Sequence, residues 1–360
     1  MWPDHRLLEL FDTEHPIVQA PMAGSGGTAL TVSVSEAGGL GSFPGASFNA
    51  DKLQSKIGII QQRTAKPFNV NFFCHTPAVP DPAREAAWKK TLSGYYAQFG
   101  IEPNSAATGM AREPFDDDAC AVIEKLKPKV VSFHYGLPAE PLLTRVKGAG
   151  CCIISSATTV AEARWLEERG CDAIIAQGVE AGGHRGMFLT EDVASQVGTF
   201  ALVPQVADAV AVPVIAAGGI GDGRGIAAAL ALGASGVQMG TAYLFTPQSL
   251  IGDSYRKALR GAQDDITSIT NLFSGRPARG IVNRLMREIG PMSDAAPAFP
   301  LASAALAPLQ ARDKEAGSMD FTQVWAGQAG AFGRALDAGE LTQQLASDAL
   351  VRLSSIAPNR

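Results

Sequence analysis

The sequence has no run of about 18 uninterrupted apolar residues, no CxxC pair and no excess of basic charge. Each absence removes a class of protein. Without such a run no membrane-spanning helix is expected, and the opening MWPDHRLLELFDTEHP is charged throughout, unlike the apolar core of a secretory signal. A cytoplasmic location is expected. The five cysteines, Cys74, Cys120, Cys151, Cys152 and Cys171, are odd in number and lack metal-type spacing, which predicts reduced core thiols and no metal. A net charge of −5 offers nothing to nucleic acid or an anionic membrane, so a small-molecule partner is expected. HExxH, P-loop and GxSxG motifs are also missing, which argues against metallo-hydrolase, nucleotide-hydrolysing and acyl-enzyme chemistry. Two matches to GxGxxA, at 24–29 and 223–228, have no acidic residue about twenty positions on and do not make a dinucleotide site.

What the chain does have is alternation. Short runs of β-branched or small apolar residues recur, each followed by a turn signal and a helical pattern. Eight are read as strands, at 17–20, 39–43, 68–73, 130–134, 152–155, 173–177, 213–217 and 236–240. Helices are expected between them at 28–37, 50–62, 82–98 with 116–126, 139–147, 159–169, 191–210 and 222–232, and after the last strand at 247–260. Eight βα units predict an α/β fold, a (β/α)8 TIM barrel over residues 1–262. Beyond it, residues 263–360 are read as a C-terminal helical extension packed on the barrel. Within that extension, 290–308 is irregular, either a loop over the barrel mouth or a linker, and 321–356 is helical.

Ligands of such barrels sit where the strands end and the βα loops gather, and the unusual residues of this chain fall on that rim. Pro21-Met22 follows the first strand, Asn71 lies near the end of the third, and His134 ends the fourth. Gln177 ends the sixth and leads into EAGGHRG, which contains Gly182, His184 and Arg185; Gly218-Gly219 follows the seventh, and Gln238-Met239-Gly240-Thr241 closes the eighth. Glycine-bearing loops leading toward helices after the last two strands let backbone N–H groups converge on a phosphate. A phosphorylated ligand is therefore expected. His184, in a loop of glycines, is the candidate base, because imidazole titrates where proton abstraction is useful. His134 is read either as orienting substrate or as a satisfied core histidine. The amides of Asn71 and Gln177 suit the edge of a flavin ring or, alternatively, close the barrel top by hydrogen bonds.

The elements HPIVQAPMAG, FNVNFF, FHYGLP, QGVEAGGHRG, PVIAAGGIGDGRG, VQMGTAYL and SGRPARGIVN, taken together and in this order, resemble those of the nitronate monooxygenase family. The resemblance implies an FMN-dependent barrel that oxidises alkyl nitronates, such as propionate 3-nitronate, with O2 to a carbonyl compound and nitrite. The EAGGHRG element is similar to that of the branch working without NADH. By the same resemblance Met22, Asn71, Gln177, Gly182, Gly218, Gly219, Gln238, Met239, Gly240 and Thr241 would hold FMN, and His184 would deprotonate a neutral nitroalkane. His134 or Arg185 would polarise the nitro oxygens. Phe299-Pro300 stands where the family often shows Tyr-Pro. The competing readings are an NAD(P)H-dependent FMN reductase of quinones or enoyl thioesters and a flavin-binding protein without turnover, each a monomer or homodimer.

Overall fold

The computed structural model describes residues 1–102 and 113–356. Among the described residues nine strands come before residue 240: β1 Ile17–Gln19, β2 Gly41–Pro44, β3 Phe68–Phe73, β4 Val130–His134, β5 Cys152–Ala157, β6 Ala173–Gln177, β7 Gly183–His184, β8 Val214–Ala217 and β9 Gly236–Met239. All except β7 join one parallel sheet in the order β1-β9-β8-β6-β5-β4-β3-β2. A bridge between Val18 and Leu40 brings its two ends together: Leu40 N–H donates to the Ile17 carbonyl and Gln19 N–H to that of Leu40. The result is a (β/α)8 TIM barrel. Nearly every strand residue is buried, as parallel strands covered on both faces must be. The inner layer is partly polar, with the Asn69 amide donating to the hydroxyls of Ser42 and Ser132.

The helices are α1 Arg6–Phe11, α2 Thr28–Glu36, α3 Ala50–Arg63, α4 Pro82–Phe99, α5 Asp117–Leu126, α6 Glu140–Gly148, α7 Val160–Glu168, α8 Thr199–Ala207, α9 Gly223–Ala231, α10 Thr241–Leu244, α11 Asp253–Arg260, α12 Arg284–Ile289, α13 Ala302–Ala316 and α14 Ala338–Ile356. Many of their starts are written in the sequence. Asn49, Asp81, Asp116, Thr159 and Asp222 each accept a hydrogen bond from a first-turn N–H. On α3, Leu53, Ile57 and Ile60 recur at helical spacing and form its buried face. The helix α1 plugs the N-terminal end of the barrel, where Leu7 and Phe11 pack against Val18, Leu40, Val130, Ile154 and Ile215. Among the described residues no helix is long and apolar enough to cross a membrane.

Three departures from the sequence-based expectation bear on function. The helix expected over 191–210 forms only as α8, because Glu180 accepts the Thr199 N–H and starts the helix there, while Gln196 just before it is held by Arg185. The extension carries a hairpin as well as helices: β10 Thr267–Thr270 pairs antiparallel with β11 Ala278–Ile281, and β11 pairs with β7. Finally, the helical content of 290–356 is shifted. Residues 302–308, read as part of an irregular stretch because of its Pro and Ala content, fall in α13, which is anchored on α4 by Trp88 Nε1–H and Tyr96 O–H donating to the carbonyls of Ala302 and Ala305. Residues 321–337 are mostly non-helical and run along β11, with Ile281 N–H donating to the Val324 carbonyl.

Candidate active site

A cavity of about 1220 Å³, counted out to its open mouth, lies at the C-terminal ends of the barrel strands. Of the residues picked out above, Met22, Asn71, His134, Gln177, Gly182, His184, Gly218, Gly219, Gln238, Met239, Gly240 and Thr241 line it. Arg185 does not. Its side chain is fully buried, with Nη2 and Nη1 donating to the carbonyls of Gln177 and Gly178 and Nε to Gln196 Oε1. Burial pulls its pKa down to about 9, so it still carries a proton at neutral pH, but it clasps the loop from behind and cannot polarise a ligand in the cavity.

The two histidines have different surroundings. His134 Nε2–H donates to the His184 carbonyl at 3.2 Å, which leaves Nδ1 to accept from the Ser156 hydroxyl at 3.0 Å. Burial, reinforced by the positive charges of Arg276 and Arg185, lowers its pKa to about 3. His134 is thus neutral with both nitrogens engaged, and it cannot act as a cationic partner for a nitro group. The alternative of a satisfied histidine fits this geometry. Gly186 packs against the ring so closely that a Cβ there would come within 2.9 Å of His134 Cε1. Gln177 works on the same loop: its Nε2 donates to the His184 carbonyl at 3.0 Å and its Oε1 accepts from Gly186 N–H at 2.7 Å. Its carboxamide closes the barrel top with one of its two N–H groups and one of its two oxygen lone pairs, and it also lines the cavity.

His184 itself is held from the other side. β7 lies against β11, with His184 opposite Ala278, and His184 Nε2 is 2.8 Å from the Ser274 hydroxyl. The Trp325 ring lies 5.4 Å from the imidazole, and Tyr255 O–H fixes the Trp325 carbonyl at 2.7 Å. Ser274, Trp325 and Tyr255 were not singled out from the sequence. The SGRPARG run was the one visible signal for Ser274; nothing local to Trp325 or Tyr255 marks them.

The glycines and amides of the opposite wall provide the test of whether a phosphorylated flavin fits. Asp222 accepts from the N–H groups of Arg224 and Gly225, so the first turn of α9 already has its anion. A phosphate would have to be met by the loops before α9 and after β9. There Gly218 and Gly219 adopt φ of 110° and 70°, and a Cβ on Gly240 would point at Ala20 and Met22 Sδ. Gly182 serves packing instead, because a Cβ would overlap the Gly327 backbone. The Asn71 amide donates to the Ser132 carbonyl and hydroxyl, leaving its oxygen as acceptor. Gln238 Oε1 is buried without a hydrogen-bond partner among the described residues. Such a buried acceptor is costly unless a ligand donor meets it. The donor set fits.

A closed parallel barrel that gathers its polar chemistry into one cavity at the strand C-termini defines a (β/α)8-barrel enzyme. The chain belongs to the nitronate monooxygenase family, whose model matches residues 4–348, and membership makes it an oxidoreductase. It is 42% identical over 345 residues to a nitronate monooxygenase of Pseudomonas aeruginosa, across 95% of this chain and 98% of that one. Nitroalkane oxidase from Streptomyces ansochromogenes superposes with a TM-score of 0.88 at 37% identity, covering 98% of this chain and 100% of its own. FabK from Thermotoga maritima superposes at 0.72 with 29% identity, covering 98% and 97%.

Proposed function

We propose that the protein oxidises alkyl nitronates with O2 to a carbonyl compound and nitrite, using FMN and needing no NAD(P)H. The observation that carries this reading is the juxtaposition, in one cavity, of an anchored imidazole at His184 with the unmet acceptor of Gln238 and the glycine turns at Gly218-Gly219 and Gly240. Gly219, Gly240 and Thr241 would meet the FMN phosphate through backbone N–H groups, Asn71 and Gln238 would address the ring edges, and Met22 would lie against the ring. FMN, when bound, supplies the acceptor for electrons from an electron-rich nitronate.

The chain's own part is positioning and one proton transfer. Two donors, His134 and Gln177, meet in the His184 carbonyl and fix the backbone from which the imidazole projects. The Ser274 hydroxyl donates to the Arg276 carbonyl at 3.3 Å and therefore accepts from His184 Nε2–H. That tautomer makes Nδ1 the basic nitrogen, which takes the α-proton of a neutral nitroalkane. A nitronate arrives already deprotonated and does not need that step.

The test is oxygen uptake by the purified yellow protein given an alkyl nitronate without NAD(P)H, repeated with His184→Asn. Rapid uptake with nitrite release is expected. The variant should keep its flavin and lose about 10²- to 10⁴-fold on neutral nitroalkanes, with a smaller loss on nitronates; equal losses would remove the base assignment. No uptake, with NAD(P)H oxidation once a quinone is added, would replace the reaction by the reductase. Neither activity would leave a flavin-binding protein without turnover.

A further inference from the structure

We infer that Glu162 is a positioning residue for the base: together with Arg185 it forms one buried chain of hydrogen bonds, with opposite charges at its two ends, that locks the loop carrying His184. The inference rests on the nitronate reading above and deepens it.

Read locally, Glu162 is a helix cap. Thr159 accepts from the Glu162 N–H at the start of α7, the T-x-x-E pattern of a capping box, in which the carboxylate reaches back to the first residue of the motif. Here its oxygens are used differently. Oε2 accepts from the Thr158 N–H at 2.6 Å and from the Thr158 hydroxyl at 2.7 Å. Oε1 accepts from the N–H groups of Phe188 at 2.6 Å and Leu189 at 3.1 Å. Glu162 thus staples the turn between β5 and α7 to the loop that runs on from His184, and it is fully buried. A carboxylate removed from water in this way is costly unless hydrogen bonds and an opposite charge compensate it.

The compensating charge is that of Arg185, also fully buried. Its Nε donates to Gln196 Oε1 at 2.9 Å, Gln196 Nε2 donates to Thr158 Oγ1 at 3.1 Å, and the Thr158 hydroxyl donates to Glu162. Every donor in this chain points from the cation toward the anion, so each bond polarises the next. Burial works against the Arg185 charge, and the negative charges of Glu180 and Glu162 support it. The same guanidinium holds the carbonyls of Gln177 and Gly178, while the Gln177 amide holds the His184 carbonyl and the Gly186 N–H. The two ends of the chain therefore grip the loop on either side of Gly186, Arg185 before it and Phe188 and Leu189 after it. The backbone from which the imidazole projects is fixed between them.

Glu162→Gln keeps the shape and removes the charge, and its amide N–H groups must face either the N–H groups of Phe188 and Leu189 or that of Thr158, donor against donor. A misplaced base harms proton abstraction more than it harms a substrate that arrives deprotonated. With 1-nitropropane kcat is therefore expected to fall about tenfold or more, while KM and the rate on propyl-1-nitronate change by less than about twofold. Gln196→Ala cuts the chain at a neutral, half-buried link and should move the ratio of the two activities in the same direction, which covers a Glu162→Gln protein that does not fold. A lowered melting midpoint with an unchanged ratio would make the chain a structural clasp and overturn the inference. A second readout needs no turnover: NMR spectra of the imidazole nitrogens in the flavin-loaded protein, with the His184 signal assigned by its loss in His184→Asn. That signal is expected to shift in both variants, and an unmoved signal overturns the inference. Should the unaltered protein oxidise neither substrate while the signal still shifts, the reaction falls and the lock on the loop stands.

Discussion

His134 and His184 lie on one cavity wall, and both ring nitrogens of His134 are engaged. The surroundings of His134 hold it neutral, and that has a thermodynamic signature. Its folded pKa of about 3 lies far below the 6.5 of an ordinary histidine, so between those limits the unfolded chain binds a proton that the folded chain refuses. Stability from this residue is complete above pH 6.5 and is lost progressively as the pH falls toward 3, with a slope of up to about 1.4 kcal/mol per pH unit. His134→Gln, which keeps an amide donor near the His184 carbonyl, should flatten that part of the curve. Urea midpoints for both proteins between pH 7 and 4.5 will show it; an unchanged slope would mean that His134 protonates in the folded state. The same reasoning explains what the sequence could reveal about these residues. A histidine or amide ending an apolar strand run marks the rim, so the candidate residues of the cavity were legible. Whether a side chain faces a ligand or the loop behind it depends on partners tens of residues away. Gln177, His134 and Arg185 were therefore found as rim residues while their engagement with the 184–186 loop stayed hidden.

The hairpin of β10 and β11 is the least anticipated element and the one that presents His184. β7 has two residues, too few for any periodicity, and its partner β11 lies nearly a hundred positions on. Only tertiary pairing makes either a strand. The barrel strands, by contrast, are legible because each is a short apolar run closed by a turn signal, buried on both faces. The hairpin also sets Trp325, since Gly280 bridges it across the sheet edge. A Cβ on Gly280 would come within 2.8 Å of the Val324 carbonyl and 3.0 Å of Trp325 Cε3, so Gly280→Ala must displace the 324–325 strip, and Trp325 lines the cavity. We expect kcat/KM on nitronates to fall by about tenfold or more, because misplacing a group by about 1 Å can cost 10²-fold. The thermal midpoint should drop by only a few degrees, because the barrel sheet is untouched. Steady-state kinetics and a melting curve separate this from general destabilisation, in which both would collapse together.

An eight-stranded barrel needs an outer layer all the way round, and here the last strand is not followed by a helix that completes it. After β9 come the four residues of α10 and then α11, whose Leu259 joins Leu244, Ile281 and Val324 near the hairpin. The face between α9 and α2 is covered by α14, from the far end of the described chain. Leu341, Leu345, Ala346 and Ala349 are buried there, and Tyr243 bonds the Thr342 hydroxyl at 2.9 Å. Thus α14 acts as the eighth helix of the barrel layer, and Trp325, Gly327 and Ala329 of the segment before it line the cavity. This arrangement has a consequence for cooperativity. Were α14 a peripheral tail, Leu345→Ala would loosen it locally and leave the midpoint of the whole protein unchanged. As part of the closed layer, the same truncation of a fully buried leucine should cost about 2–5 kcal/mol and lower the midpoint of a single transition by several degrees. Hydrogen exchange decides between the two. Amides of α9 and α2 should lose protection together with those of α14, whereas a loss confined to α14 would return it to the role of an appendage.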